Sequence, residues 1–143
     1  MPSGNAAFIQ LCMIQLKNAR FVKEQLKKND VVFKLVLNVP EFKPAALLEF
    51  KNQTIYVSPI SDQDVNDKSK WDAKMTTDGV TLFRYFLGEL GTIKPLFPII
   101  GKIKAAGMLK LIKLVWFVKI TQQFYSENTS FARAVFDKMY LKT

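Results

Sequence analysis

The order of periodicities along the chain predicts an α+β fold built on a five-stranded, mostly antiparallel sheet. Three observations carry that expectation. A helical pattern opens the chain; four short period-two segments follow it, separated only by turns and loops; and a second helical pattern, a basic period-two segment and a long apolar helix come after them. Blocks of strands joined without intervening helices favour an antiparallel sheet over a doubly wound parallel one.

From Asn5 to Lys28 no Pro or Gly intervenes, and Phe8, Leu11, Cys12, Ala19, Val22 and Leu26 recur at spacings of three and four. Lys17, Arg20, Lys23, Glu24 and Lys27 fall on the opposite arc, so the segment is expected to be an amphipathic helix packed on the rest of the fold. In VVFKLVLNV the period becomes two, with Val31, Phe33, Leu35, Leu37 and Val39 on one face and Lys34 and Asn38 on the other, the mark of a half-buried strand. Pro40 and Pro44 bracket a loop. ALLEFK and TIYVS then flank Asn52-Gln53 as the arms of a hairpin, the second of which Pro59 is expected to stop. The polar run SDQDVNDKSK is expected to be a loop, and Trp71, Ala73, Met75 and Thr77 alternate inward on a fourth strand.

Asp78 is placed to cap the next helix. On it Leu82, Phe83, Phe86, Leu87 and Leu90 span an arc of about 140°. Gly91 and Pro95 end that helix, and Pro98 limits the segment around it to a turn or two. KIKAA is the fifth strand, its Lys102 and Lys104 guarding an exposed edge, and Gly107 releases the chain into MLKLIKLVWFVKI. Phe131, Val135, Phe136, Met139 and Tyr140 fit a short helix within a C-terminal extension, residues 126–143, of a single domain covering 1–143.

Composition excludes several classes of function. At 143 residues the chain is long enough for one well-filled core. It contains no histidine, so triads and zinc sites that depend on an imidazole are ruled out. Cys12 is the one cysteine and sits on the apolar face of the first helix, where it reads as a small core residue in a reducing compartment. Asp62, Asp64 and Asn66 have calcium-loop spacing, but Asp67 stands where the turn needs Gly and Ala73 where the bidentate Glu belongs. Gly101-Lys102 lacks the earlier Gly of a phosphate loop, because position 96 is Leu. The expected protein is therefore not an enzyme and uses no cofactor or metal. The N-terminal segment does not have the form of a signal peptide, and lysines at 102, 104, 110, 113 and 119 break the most apolar stretch, so the expected location is the cytoplasm.

The back half holds the functional signal. Between Leu96 and Ile120, 17 of 25 residues are apolar, and from Gly91 to Ser126 there are six lysines and no carboxylate. An ordinary amphipathic helix backs its apolar stripe with charges of both signs. The last helix here is apolar over most of its circumference, so it must be buried on nearly all sides or border something apolar that is not protein. The formal charge of +9 favours an anionic partner such as a lipid headgroup. Nucleic acid is not expected, because the lysines stand among aliphatic residues and not beside a stacking platform.

The run DAKMTTDGVTLFRYFLGEL, followed by PLFPIIGKIKAAGMLKLIKL, resembles the second half of sterol carrier protein type 2 (SCP-2) domains. The matching landmarks are Thr77-Asp78 at a strand end, Gly88 to Leu90 closing a helix, Phe97, the strand Gly101-Lys102-Ile103-Lys104, then Gly107 and the apolar helix from Leu109 to Leu114. The likeness extends over about residues 5–120 and is specific over 72–114. Ala105-Ala106 and Met108-Leu109 depart from the family's usual residues, and Leu141-Lys142-Thr143 is not a peroxisomal address.

The resemblance implies a sheet covered on one face by helices around an apolar tunnel that binds or transfers a fatty acid, acyl-CoA, sterol or isoprenoid-like lipid. Phe83, Phe86, Leu87, Leu90, Phe97, Ile100, Leu109, Ile112 and Trp116 are the expected wall. Lys102, Lys104, Lys110 and Lys113 are expected to meet the headgroup or an anionic membrane surface. The alternative is a basic and apolar docking module for a protein partner or a membrane-associated enzyme, with no cavity.

Overall fold

In a computed structural model of the chain, residues 16, 18–41, 43–87, 103–128, 130 and 133–134 are described. The alternation of VVFKLVLNV becomes strand β1, Phe33–Asn38. Leu35, Val36 and Leu37 are all buried, as befits a strand covered on both faces. On its one side lies β2, Ala45–Lys51, which turns through Asn52 and Gln53 into β3, Thr54–Ile60. Both turn residues have positive φ, 53° and 59°, the twist that joins two antiparallel strands through a two-residue loop. Pro59 does not stop the second arm: it lies within β3 opposite Ala46, and the strand tolerates it because β3 is an edge of the sheet.

After β3 the chain crosses back. The expected loop is two tight pieces, a single helical turn α2, Asp62–Val65, and a 3₁₀ turn, Lys68–Lys70. Ser61 Oγ accepts the Asp64 N–H at the start of the first, and the Asp67 carboxylate accepts from the Ser69 N–H and hydroxyl at the start of the second. Strand β4, Ala73–Thr76, then pairs with β1 and runs parallel to it. This corrects the expected meander, which would place β4 beside β3. Pro59 removes a backbone donor from β3, whereas Asp72 fastens β4 to β1 by accepting the Lys34 N–H at 2.8 Å. With β5, Lys104–Ala106, antiparallel to β4, the order is β3-β2-β1-β4-β5, and three of the four pairings are antiparallel.

Helix α1, Arg20–Asn29, is shorter than its periodicity predicts, because Ala19 is extended with ψ 131°. Leu16 and Val22 on either side of that break are both fully buried. Six residues apart, they would point about 120° from one another on a straight helix, and the break returns both to the core. The rest of the predicted helix, including Cys12, lies outside the described residues. So does nearly all of the predicted helix around Phe131 to Tyr140.

The helices lie on the face of the sheet formed by Phe33, Leu35, Leu37, Leu48, Phe50 and Met75. Against it pack α1, then α3, Gly79–Phe86, and a continuous helical run made of α4, Met108–Leu111, a 3₁₀ turn, Ile112–Leu114, and α5, Val115–Glu127. The second face has a smaller core, in which Trp71 and Val65 from the crossing segment cover Val36, Ala45 and Ile60. The Trp71 indole donates to the Val65 carbonyl at 3.0 Å, so its one polar atom is satisfied there.

Candidate apolar binding site

Helix α3 brings Phe83, Phe86 and Leu87 against the main core, with Phe83 buried and the other two half-buried in the last turn. Tyr85, absent from the predicted apolar arc, is fully buried as well. Burial alone pushes its phenol well above the usual tyrosine range, so it stays neutral at any physiological pH. Its carbonyl accepts from Gln122 Nε2 of α5 at 3.0 Å, which ties the two helices together. Phe86 stacks on Tyr125 with ring centroids 6.3 Å apart, and Tyr125 in turn meets Phe124 edge-on at 5.0 Å.

Helix α5 is held to the sheet by Phe117, whose ring meets Phe50 of β2 edge-on at 4.8 Å. The buried Thr121 hydroxyl returns its hydrogen bond to the Phe117 carbonyl at 2.8 Å, so it leaves no polar demand in the core. Trp116 is different. Its ring packs edge-on against Phe117 at 5.9 Å, yet its Nε1 is buried and has no hydrogen-bond partner among the described residues. A buried N–H left unbonded costs about 1–3 kcal/mol. Around the same core, Val118 and Ile120 of α5 are half-buried, like Phe86 and Leu87. Both fall within the apolar run noted in the sequence, though neither was among the predicted wall residues.

The predicted site residues therefore separate into groups. Phe83, Phe86, Leu87 and Trp116 share one apolar cluster. Leu109 and Ile112 stand out into solvent, 85% and 57% exposed, because Leu111 and Leu114 take the inward positions of α4 and the 3₁₀ turn. Lys110 and Lys113 are exposed beside them. Lys104 projects from the sheet face opposite the main core, since Ala105, its neighbour in β5, packs toward the helices. Leu90, Phe97, Ile100 and Lys102 lie outside the described residues.

Among the described residues no group of three or more Asp, Glu or Cys converges to hold a metal, and no helix is long and apolar enough to cross a membrane. Helices α3 and α5 are packed together through Tyr85, Phe86, Gln122 and Tyr125, and Trp116 at the start of α5 holds a buried donor with no partner among the described residues.

Neither a protein-family model nor a curated protein matches the sequence. Solved structures do match the fold. One is described as the ubiquinone synthesis protein UbiJ-SCP2, with TM-score 0.54 and 16% identity over 83% of this chain and 88% of that one. Another is sterol carrier protein 2 from Yarrowia lipolytica in its apo form, with TM-score 0.51 and 21% identity over 81% of this chain and 89% of that one. At such identities the likeness is one of architecture.

Proposed function

We propose, from the premise that this chain has an SCP-2-like fold, that it binds and carries a hydrophobic small molecule: a fatty acid, acyl-CoA, sterol or isoprenoid-like lipid. The observation that carries the reading is the buried Trp116 Nε1, without a partner among the described residues, in a core whose margins include half-buried Phe86, Leu87, Val118 and Ile120. A carboxylate, ester or hydroxyl oxygen on an otherwise apolar ligand would accept that N–H. Each methylene buried beside it would add about 0.8 kcal/mol. Binding by hydrocarbon area with one polar contact discriminates by size and headgroup position, and it needs no covalent step. The neighbours' printed names, one a sterol carrier and one a ubiquinone synthesis protein, fit cargo of this kind.

The test is denaturing extraction of the purified protein followed by mass spectrometry of the organic phase, together with displacement of a fluorescent fatty acid in vesicle-free solution. Saturable displacement and a co-extracted lipid support the proposal. A lipid-free protein that displaces nothing sinks it, and concentration-dependent self-association in that same sample would favour the docking-module alternative.

A further inference from the structure

Five large hydrophobic residues are exposed among those described, and two of them, Leu109 and Ile112, stand one turn apart at the head of the helical run that becomes α5. Residues three apart are neighbours on a helix surface. Lys110 and Lys113 follow each of them directly and are exposed too, as is Lys119 further on. No carboxylate occurs anywhere from Gly91 to Ser126. We infer that Leu109 and Ile112 insert into the surface of an anionic lipid bilayer while Lys110 and Lys113 bind its headgroups, docking the domain peripherally by the start of this helical run.

Charge and area favour a bilayer over a protein partner. Protein interfaces are depleted of lysine and need roughly 1,000 Å² or more of buried surface, whereas here two apolar side chains sit among lysines. Lysine interleaved with aliphatic residues suits the boundary between headgroups and acyl chains, where the stems lie in hydrocarbon and the ammonium groups reach the phosphates. The inserted area is small, so attachment is reversible and depends on the charge of the surface. Ile112 also lies four residues before Trp116, on neighbouring turns of the same run. Docking therefore puts the bilayer one turn from the half-buried indole. The inference stands whether or not a ligand occupies the interior.

Co-sedimentation with vesicles of phosphatidylcholine, with and without phosphatidylglycerol, tests it. Binding is expected to the anionic vesicles, falling with added salt. Leu109→Ala/Ile112→Ala should weaken partition about tenfold or more, and Lys110→Gln/Lys113→Gln about thirtyfold. Two control variants change the same chemistry elsewhere on exposed surface: Val32→Ala, at a position 82% exposed, and Lys27→Gln/Lys28→Gln at the end of α1. Both should retain partition to within about threefold. The positions are exposed, so thermal midpoints should stay close to that of the unchanged protein, and a variant that loses binding while folded supports the assignment. No binding to anionic vesicles would overturn it. An equal loss in Lys27→Gln/Lys28→Gln would reduce it to net charge, and self-association abolished by Leu109→Ala/Ile112→Ala without vesicles would assign the patch to protein. A failed displacement assay in vesicle-free solution leaves these outcomes readable, because none of them requires cargo.

Discussion

The carboxylate of Glu41 accepts the backbone N–H of Gly79 through Oε1 at 2.8 Å. This contact, from the loop between β1 and β2, occupies the first turn of α3, where orphan N–H groups and the positive end of the helix dipole both favour a carboxylate. Asp78, the residue that the sequence marks as the cap, holds the N-cap position without a side-chain hydrogen bond to the helix. Glu41→Ala should therefore cost about 1 kcal/mol, and Asp78→Ala only a few tenths. Chemical denaturation of the two variants checks the order, and the reverse order would return the capping role to Asp78.

Gly107 joins β5 to α4 with φ +73°, and a Cβ there would run into the carbonyl oxygen of Asp72. Two costs add: a left-handed backbone for a residue with a side chain, about 1–2 kcal/mol, and displacement of the start of β4. Gly107→Ala should destabilise by about 3 kcal/mol, lowering the thermal midpoint by about 10 °C. Gly107→Asn relieves only the dihedral part, so it should recover about 1 kcal/mol of that loss. Full recovery by Asn would mean that the close approach to Asp72 is unimportant.

What could be read ahead of the structure follows the range of the interactions that decide it. The alternation around β1, the Asn52-Gln53 hairpin and the apolar face of α3 are local patterns, and each element forms where its period points. The parallel pairing of β1 with β4 was hidden because it is a choice between edges made across about 38 residues of chain, and Pro59 marks the unsuitable edge only once β3 is known to be outermost. The break puts Ala19, a strong helix former with no capping side chain, at the N-cap of α1, which its residue type does not announce. Phe83, Phe86, Leu87 and Trp116 stand out in the sequence as large apolar residues, and they share one core cluster. Which of Leu109, Leu111, Ile112 and Leu114 turn inward was not legible, because the 3₁₀ turn at Ile112–Leu114 advances about 120° per residue in place of 100° and shifts the phase of the stripe.

The Asp67 carboxylate, which accepts from Ser69, is held below the usual carboxylate range, first by the hydroxyl and then by the backbone N–H, with a smaller contribution from Lys70. A depressed folded-state pKa stabilises the fold above the unfolded value, near 3.8, and that stabilisation is lost as pH falls through the lower folded value. Ser69→Ala should thus lower the thermal midpoint slightly at neutral pH, and the difference from the unchanged protein should shrink as pH falls below about 4. The site is solvent-exposed, so salt should also reduce the difference. A gap that stays constant down to strongly acidic pH would assign the effect to the hydroxyl's other contacts.

Trp116→Phe separates the polar from the apolar part of the proposed binding site. The substitution keeps an aromatic ring beside Phe117 and removes a buried N–H that has no partner among the described residues, so folding stability should fall by less than about 1 kcal/mol, or rise. Binding should respond to ligand chemistry. For a probe with a carboxylate, such as parinaric acid, loss of one charge-assisted hydrogen bond should weaken affinity about tenfold. For diphenylhexatriene, which has no acceptor, affinity should change by less than about threefold, set by the small loss of ring area. Equal weakening of both probes would leave Trp116 as wall surface alone. No weakening of either would direct its N–H away from the ligand and remove the contact on which the proposed orientation of the cargo depends.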